Sequence, residues 1–96
     1  MPYEIRYSNQ AVEQLKELKS FDRSAILDGT EQILSVNPTV VSKSRLKRLR
    51  EPSPTQYRLR VGEFRVFYDV QDENETVMIV QILSKRASLD YLGGSS

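Results

Sequence analysis

The sequence contains no cysteine and no histidine. Without cysteine, the chain has no disulfide, no zinc thiolate site and no cysteine nucleophile. Without histidine, it lacks the usual general acid–base residue and the commonest metal ligand. Any catalysis therefore has to rest on other polar side chains, and we expect no metal and no small-molecule cofactor.

Long apolar runs are also missing. No segment approaches the roughly 20 apolar residues that span a bilayer, and no signal-peptide pattern opens the chain. We therefore expect no membrane partner and a cytoplasmic location, which the lack of cysteine fits. The 96 residues are enough for one domain with a single core. We place this domain at residues 1–92 and expect the Gly-Gly-Ser-Ser end, residues 93–96, to be a disordered tail.

The net charge of +1 hides an uneven distribution of charge along the chain. The segment from residue 43 to residue 65 contains eight basic and two acidic residues, which give it a charge of +6, and the remainder carries −5. Such asymmetry indicates a local site for a polyanion. The eight basic residues are Lys43, Arg45, Lys47, Arg48, Arg50, Arg58, Arg60 and Arg65.

The segment YRLRVGEFRVFY, residues 57–68, predicts a β-hairpin. Two alternating runs flank Gly62-Glu63, and glycine at the first central position suits a type II′ turn. A two-residue turn fixes the strand register. The predicted pairs are Val61 with Phe64, Arg60 with Arg65, Leu59 with Val66, Arg58 with Phe67, and Tyr57 with Tyr68.

The hairpin presents two chemically different faces, because side chains alternate along each strand. Arg58, Arg60 and Arg65 share one face, and the direct pairing of Arg60 with Arg65 destabilises the hairpin by about 0.2–1 kcal/mol. The stability of the fold alone would not favour two arginines opposite each other, whereas binding of a polyanion across this face would. The simpler alternative is an exposed strand face kept soluble by charge. The opposite, core face carries Tyr57, Leu59, Val61, Phe64, Val66 and Tyr68.

Two helices are predicted between a first strand, residues 3–7, and the hairpin. Ser8 suits an N-cap for the first helix, and Asp22 suits one for the second. Phe21 and Ile26 have the spacing of a hydrophobic staple around Asp22. Asn37-Pro38 ends the second helix. The apolar stripes comprise Ala11, Val12, Leu15 and Leu18 in the first helix, and Ile26, Ile33 and Leu34 in the second.

The remaining segments complete an α+β pattern. Residues 38–56 form a long connection that Leu46 and Leu49 pin to the core, and its basic run KSRLKRLR is either a solvated loop or an RNA contact. Residues 77–83 form a central strand, and residues 84–91 leave the sheet as a short helix. The order is β-α-α-β-β-β: two N-terminal helices packed on a small, mostly antiparallel four-stranded sheet, with a short C-terminal tail or helix.

The element order, the hairpin YRLRVGEFRVFYDV, the strand VMIVQILSKR and the tyrosine close behind it resemble the RelE/ParE toxins of bacterial toxin–antitoxin pairs. The resemblance spans nearly the whole chain, from the first strand to Tyr91. RelE-type members cut messenger RNA on the ribosome, whereas ParE-type members keep the fold but poison DNA gyrase. The resemblance also implies a cognate antitoxin, encoded next to the toxin, as a partner.

The resemblance assigns roles to individual residues. Arg65 matches the arginine of the second hairpin arm, Arg86 matches the arginine that ends the last strand, and Tyr91 matches the terminal tyrosine to within a one-residue gap. Arg58 and Arg60 stand where the best-known RelE-type site has lysines. Because arginine is effectively always charged, we assign them phosphate binding and not proton transfer. The predicted contacts with RNA and the ribosome are Lys43, Arg45, Lys47, Arg48, Arg50 and Lys85.

Three functional hypotheses follow. The first is a ribosome-dependent endoribonuclease acting on mRNA, in which the ribose 2′-OH attacks the adjacent phosphorus, the 5′-oxygen leaves and no metal is needed. Arg65 and Arg86 would stabilise the charge that builds on the phosphoryl oxygens, and Tyr91 would stack on a base or transfer a proton. The second is a gyrase-binding toxin without nuclease chemistry. The third is a non-toxic binding module or decayed toxin.

Overall fold

The computed structural model describes residues 2–93, and within them it contains five β-strands and three α-helices. The sheet order is β1-β5-β4-β3-β2; β1 runs parallel to β5, and the other neighbouring pairs are antiparallel. The α+β class is confirmed. Residues 94–96 of the predicted tail lie outside the described part of the chain. The elements are β1 (Glu4–Tyr7), α1 (Asn9–Lys16), α2 (Ser20–Leu34), β2 (Leu46–Arg48), β3 (Tyr57–Val61), β4 (Phe64–Gln71), β5 (Thr76–Ser84) and α3 (Lys85–Tyr91).

The hairpin between β3 and β4 has the predicted register at all five pairs. Gly62 has φ +58°, and Glu63 beside it does not have a positive φ. A positive φ at the first central position alone is the type II′ pattern, which favours glycine there. The predicted core face is also confirmed, because Leu59, Val66 and Tyr68 are buried and the other members pack against them.

The sheet has one strand more than the sequence predicted, because β2 forms within the long connection. Leu46 is buried as expected, and it pairs with Leu59 of β3. Leu49 is half-buried. A strand of three residues is too short to show a period of two, so nothing in the local pattern separated it from a loop.

Helix α1 covers the edge of β5 beyond the end of β1. The Ser8 amide donates to the Ile79 carbonyl (2.8 Å), and the Ser8 hydroxyl donates to the Val80 carbonyl (2.9 Å). Farther along, the Ile82 amide donates to the side-chain oxygen of Gln14 (2.6 Å). These bonds satisfy backbone groups of an interior strand that would otherwise lie unpaired at an edge. Ser8 also caps α1 as predicted, because its side chain accepts from the Ala11 amide.

Helix α2 begins at Ser20, two residues before the predicted cap. Asp22 therefore lies in the first helical turn, and Phe21 is 82% exposed, so the predicted staple with Ile26 is wrong. The junction is held in another way, by the Arg23 side chain. Its Nε donates to the Leu15 carbonyl (2.9 Å), and its Nη2 donates to the Leu18 carbonyl (2.8 Å).

Arg23→Ala is expected to destabilise the fold by about 1.5–3 kcal/mol, the range for hydrogen bonds from a charged group. The substitution removes the donors that hold the end of α1 against α2. Urea denaturation measures the change in the free energy of unfolding. Lys19→Ala, an exposed cation at the same junction, is the control, and equal losses in the two variants would contradict the assignment.

Gly29 allows α2 to approach β3 closely. The helix continues through this residue, and a Cβ atom placed there would lie 3.3 Å from Cγ2 of Val61. The helices thus pack on the core face of the hairpin and leave its arginine-bearing face uncovered by α1 and α2. Among the helices of residues 2–93, none has the length and apolar character of a membrane-spanning segment.

Candidate nucleic-acid interface

Two cross-strand rows of side chains form the surface opposite the helices. Paired residues on neighbouring strands point to the same face. One row therefore places Lys47, Arg58 and Phe67 side by side, and the next row places Arg60 beside Arg65. The rows are two residues apart along the strands, or about 7 Å. We call these five residues the arginine face.

Arg65 is a buried cation without an anionic partner. It is 9% exposed, and its Nη1 donates to the carbonyls of Gly62 (3.2 Å) and Phe64 (3.1 Å). Within the described residues, no carboxylate lies within 4 Å of its guanidinium. Burying an unpaired charge is unfavourable, and the remaining N–H donors of Arg65 suit an external anion.

Arg58 lies close to two other arginines, and both its hydrogen bonds and its pKa show an unfavourable environment for a cation. Its Nη2 donates to the Ser44 carbonyl (3.1 Å), while its buried Nε has no hydrogen-bond partner. The pKa of Arg58 is lowered, first by burial and then by the charges of Arg65 and Arg60. An arginine with a lowered pKa still remains cationic at neutral pH. A phosphate on this face would supply the missing negative charge.

Tyr91 lies over the arginine face, because α3 folds back across the sheet. Its ring contacts Phe67 with a centroid separation of 4.8 Å and an interplanar angle of 53°. The pKa of Tyr91 is raised, mainly by burial and also by Asp69, while the Thr55 hydroxyl opposes the change. Of the two roles that the sequence analysis left open for Tyr91, base stacking and proton transfer, a raised pKa favours a stacking ring over a proton-accepting phenolate.

Arg86 and Lys85 lie in the first turn of α3, at the turn end of the hairpin. The Lys85 amide donates to the Glu63 carbonyl (2.9 Å). Arg86 is exposed and borders a depression together with Glu63 and Leu89. Within the part of the chain described, Arg86 forms no ion pair, including none with Asp90. Its side chain is therefore available to an external anion.

The basic segment 43–50 does not form one continuous surface. Lys47 belongs to the arginine face, whereas Arg48 points to the other side, where its guanidinium lies 4.9 Å from the ring centroid of Tyr57. Tyr57 in turn stacks on Tyr68 (5.4 Å, 14°). Lys43, Arg45 and Arg50 are exposed, and the Arg60 amide donates to the Arg45 carbonyl (2.7 Å).

Sequence reasoning missed two features of this surface. One is Phe67, which is fully buried on the arginine face. The predicted register already paired Phe67 with Arg58, so the sequence was enough to place both side chains on the same side of the sheet. The stack of Arg48 on Tyr57 depended on β2, which was not predicted. As for metal sites, residues 2–93 contain no cluster of three or more Asp or Glu side chains arranged as ligands.

The chain was compared with known proteins by sequence and by structure. Residues 5–89 match the family model described as the ParE toxin of type II toxin–antitoxin system parDE. No curated protein gives a significant match.

Among solved structures, the RelBE2 toxin–antitoxin complex from Mycobacterium tuberculosis matches with 26% identity and a TM-score of 0.76, covering 88% of this chain and 92% of that one. A double mutant of E. coli toxin RelE in the free state matches with 20% identity and a TM-score of 0.71, covering 98% of this chain and 97% of that one. The archaeal RelE–RelB complex from Pyrococcus horikoshii OT3 matches with 21% identity and a TM-score of 0.64, covering 88% of this chain and 97% of that one.

The family model covers most of the chain, and the folds of the RelE structures agree with the sheet and helices described above. The resemblance inferred from the hairpin and the last strand is therefore confirmed. This chain belongs to the ParE toxin family of type II toxin–antitoxin systems, within the RelE/ParE superfamily.

Proposed function

We propose that this toxin is a ribosome-dependent endoribonuclease that cuts messenger RNA and so inhibits translation. The observation that carries the proposal is the arginine face, where Arg65 is buried without a counter-ion and Arg58 keeps an unpartnered Nε. A toxin that acted only by protein contact would have no need of a buried, uncompensated guanidinium. Single-stranded RNA supplies phosphates for the cations and a base for the ring of Tyr91.

The proposed reaction is a transesterification within the RNA. The 2′-oxygen forms a bond to the adjacent phosphorus, the bond from phosphorus to the 5′-oxygen breaks, and the products are a 2′,3′-cyclic phosphate and a 5′-hydroxyl. The proton leaves the 2′-oxygen, and the departing 5′-oxygen gains one. Negative charge builds on the phosphoryl oxygens during this exchange, and fixed guanidinium groups stabilise it.

Each residue has a role in this proposal. Arg65 and Arg86 bind the phosphoryl group under attack. Arg58 and Arg60 hold flanking phosphates and align the backbone. Tyr91 provides a ring face for a base. The ribosome supplies the rest of the in-line geometry. Because basic side chains would contact the phosphates of its RNA, binding is expected to depend strongly on salt. The candidate contacts are Lys43, Arg45, Lys47, Arg48, Arg50 and Lys85.

The decisive experiment is induced expression in a bacterium, followed by mapping of RNA 5′ ends against ribosome position. The proposal requires cuts in translated messages that are in phase with codons. Arrested growth with intact messages would overturn it.

Tyr91→Phe is expected to retain cleavage within a few-fold, because the proposed role needs only the ring. Tyr91→Ala is expected to lose about 5- to 150-fold, which corresponds to about 1–3 kcal/mol for stacking of one base. Single-turnover cleavage on programmed ribosomes measures both. A loss of 100-fold or more in Tyr91→Phe would instead assign proton transfer to the hydroxyl.

The second candidate is a toxin that binds and inhibits DNA gyrase without nuclease activity. The match to the ParE family model favours it. In that case, expression would induce a DNA-damage response, and the purified protein would block supercoiling of a plasmid by gyrase. The nuclease proposal expects neither effect.

A further inference from the structure

Three glutamine side chains form a hydrogen-bonded chain at the border of the arginine face. Nε2 of Gln14 donates to Oε1 of Gln81 (2.7 Å), and Nε2 of Gln81 donates to Oε1 of Gln10 (2.8 Å). Gln10 and Gln14 are four residues apart in α1, so they lie on one side of the helix, and the amide of Gln81 bonds to both. We call Gln10, Gln14 and Gln81 the glutamine chain.

Gln81 places the glutamine chain next to the ring pair of Phe67 and Tyr91. Gln81 is paired with Phe67 between β5 and β4, so both side chains point to the same face, with their Cβ atoms about 4.5–5.5 Å apart. The ring of Tyr91 contacts Phe67 on this face. Gln81 is half-buried and Gln10 is exposed. The glutamine chain thus borders the place where the proposed function puts a base.

The direction of each hydrogen bond in the glutamine chain is set at its inner end. The Ile82 amide donates to the side chain of Gln14 (2.6 Å), and because a backbone N–H can only donate, the atom that it meets is the oxygen. The nitrogen of Gln14 therefore faces Gln81, and the same alternation sets the amides of Gln81 and Gln10. The backbone of β5 thus decides the orientation of an amide group at the surface.

The outer end of the glutamine chain presents hydrogen-bond donors. The oxygens of Gln81 and Gln10 each accept a bond within the chain, whereas Nε2 of Gln10 has no partner among residues 2–93. Nε2 of Gln81 also uses only one of its two N–H groups within that range. An isolated glutamine offers a donor and an acceptor together and binds adenine through both. Here the acceptors are already engaged, and the free groups are N–H.

The four RNA bases differ in what they offer to such donors. Guanine and uracil carry an exocyclic oxygen, which accepts, at the position where adenine and cytosine carry an amino group, which donates. An unstacked base can expose this edge to a protein side chain. An amino group placed against the glutamine chain would set donor against donor and leave both unpaired.

We propose that the glutamine chain selects guanine or uracil over adenine or cytosine at the nucleotide that stacks on Tyr91. Gln10 and Gln81 donate to the exocyclic oxygen of the base. Gln14 is a positioning residue, which orients the other two amides without touching the RNA. The inference rests on the proposed nuclease function and adds the residues that set its base preference.

The test is single-turnover cleavage on programmed ribosomes. The messages differ only in guanine against adenine, or uracil against cytosine, at one codon position beside the cut, and each position is tested in turn. At one position, the wild type is expected to cleave the guanine message about 5- to 150-fold faster than the adenine message, the range for one good base contact. Uracil is expected to be preferred to cytosine at the same position.

Gln14→Glu is expected to lower this ratio of rates by about five-fold or more. The new carboxylate still accepts from the Ile82 amide but has no N–H for Gln81. The amide of Gln81 then turns to donate to the carboxylate, Gln10 donates to Gln81, and the oxygen of Gln10 becomes the free group. Gln10→Glu puts an acceptor at the exposed end directly and is expected to lower the ratio equally, so the test does not depend on the folding of Gln14→Glu.

The matched control is Gln32→Glu, which makes the same change at an exposed glutamine of α2 and is expected to keep the wild-type ratio. A ratio near one in the wild type at every codon position would overturn the inference, as would an unchanged ratio in Gln10→Glu. Either result would leave the nuclease proposal standing, because the messages are still cut. If the wild type cut no message, both proposals would fall together.

Discussion

Arg65→Ala is expected to abolish toxicity, with cleavage on programmed ribosomes reduced at least 100-fold. This magnitude is typical for loss of one preorganised donor to a charged transition state. The reason is geometric as well as electrostatic, since two carbonyls of its own hairpin hold the Arg65 guanidinium in place. Growth after induction and mapping of RNA 5′ ends measure the effect. Arg86→Ala is expected to behave in the same way.

The controls for Arg65 separate function from folding. Arg65→Met keeps most of the volume and removes the uncompensated charge, so its free energy of unfolding is expected to be no lower than that of the wild type. Arg6→Ala removes an exposed arginine whose partner is Glu4, and it is expected to remain toxic. If Arg65→Ala or Arg86→Ala remains toxic at equal expression, the assignment of that residue is wrong.

Tyr68→Ala is expected to destabilise the fold by about 3–5 kcal/mol, the range for removing a large buried aromatic side chain. A domain of this size has about 5–14 kcal/mol in total, so the variant is expected to lose a large fraction of its stability and to unfold at a clearly lower urea concentration. Tyr68 is fully buried, stacks on Tyr57, and holds Pro38 through its hydroxyl. Urea denaturation followed by circular dichroism gives the loss.

Tyr68→Phe isolates the hydrogen bond to Pro38 from the packing. It is expected to cost about 0.5–1.5 kcal/mol, with the fold intact. A loss as large as that of Tyr68→Ala would mean that the hydroxyl, and not the ring, maintains this corner of the core. If neither variant lost stability, the packing of Tyr68 described above would be contradicted.

The features that sequence predicted well are those that local rules decide. Gly62 fixes a two-residue turn, and the turn fixes every pair of the hairpin. Ser8 caps α1 through a hydroxyl that accepts from the amide three residues farther along the chain. In each case, a side chain or a turn satisfies backbone groups within a few residues, so no distant contact has to be known.

The features that sequence did not predict depend on contacts between distant segments. Strand β2 exists because β3 offers it an edge, and the start of α2 follows from Arg23 binding the end of α1. The pKa of Tyr91 is set by burial against Phe67 and by Asp69, which α3 reaches only in the folded sheet. The sequence also did not show that Lys47 and Arg48 face opposite sides of the sheet, because the pairing of β2 with β3 decides this.

The pairing of β1 with β5 has a consequence for how the protein folds. Strand β5 lies between β4 of the arginine-bearing hairpin and β1, and β1 reaches it from the opposite end of the domain. Pairing between segments so far apart along the chain slows folding. Until β1 arrives, the backbone groups on one side of β5 have no partner strand, and in that interval another chain can pair with them.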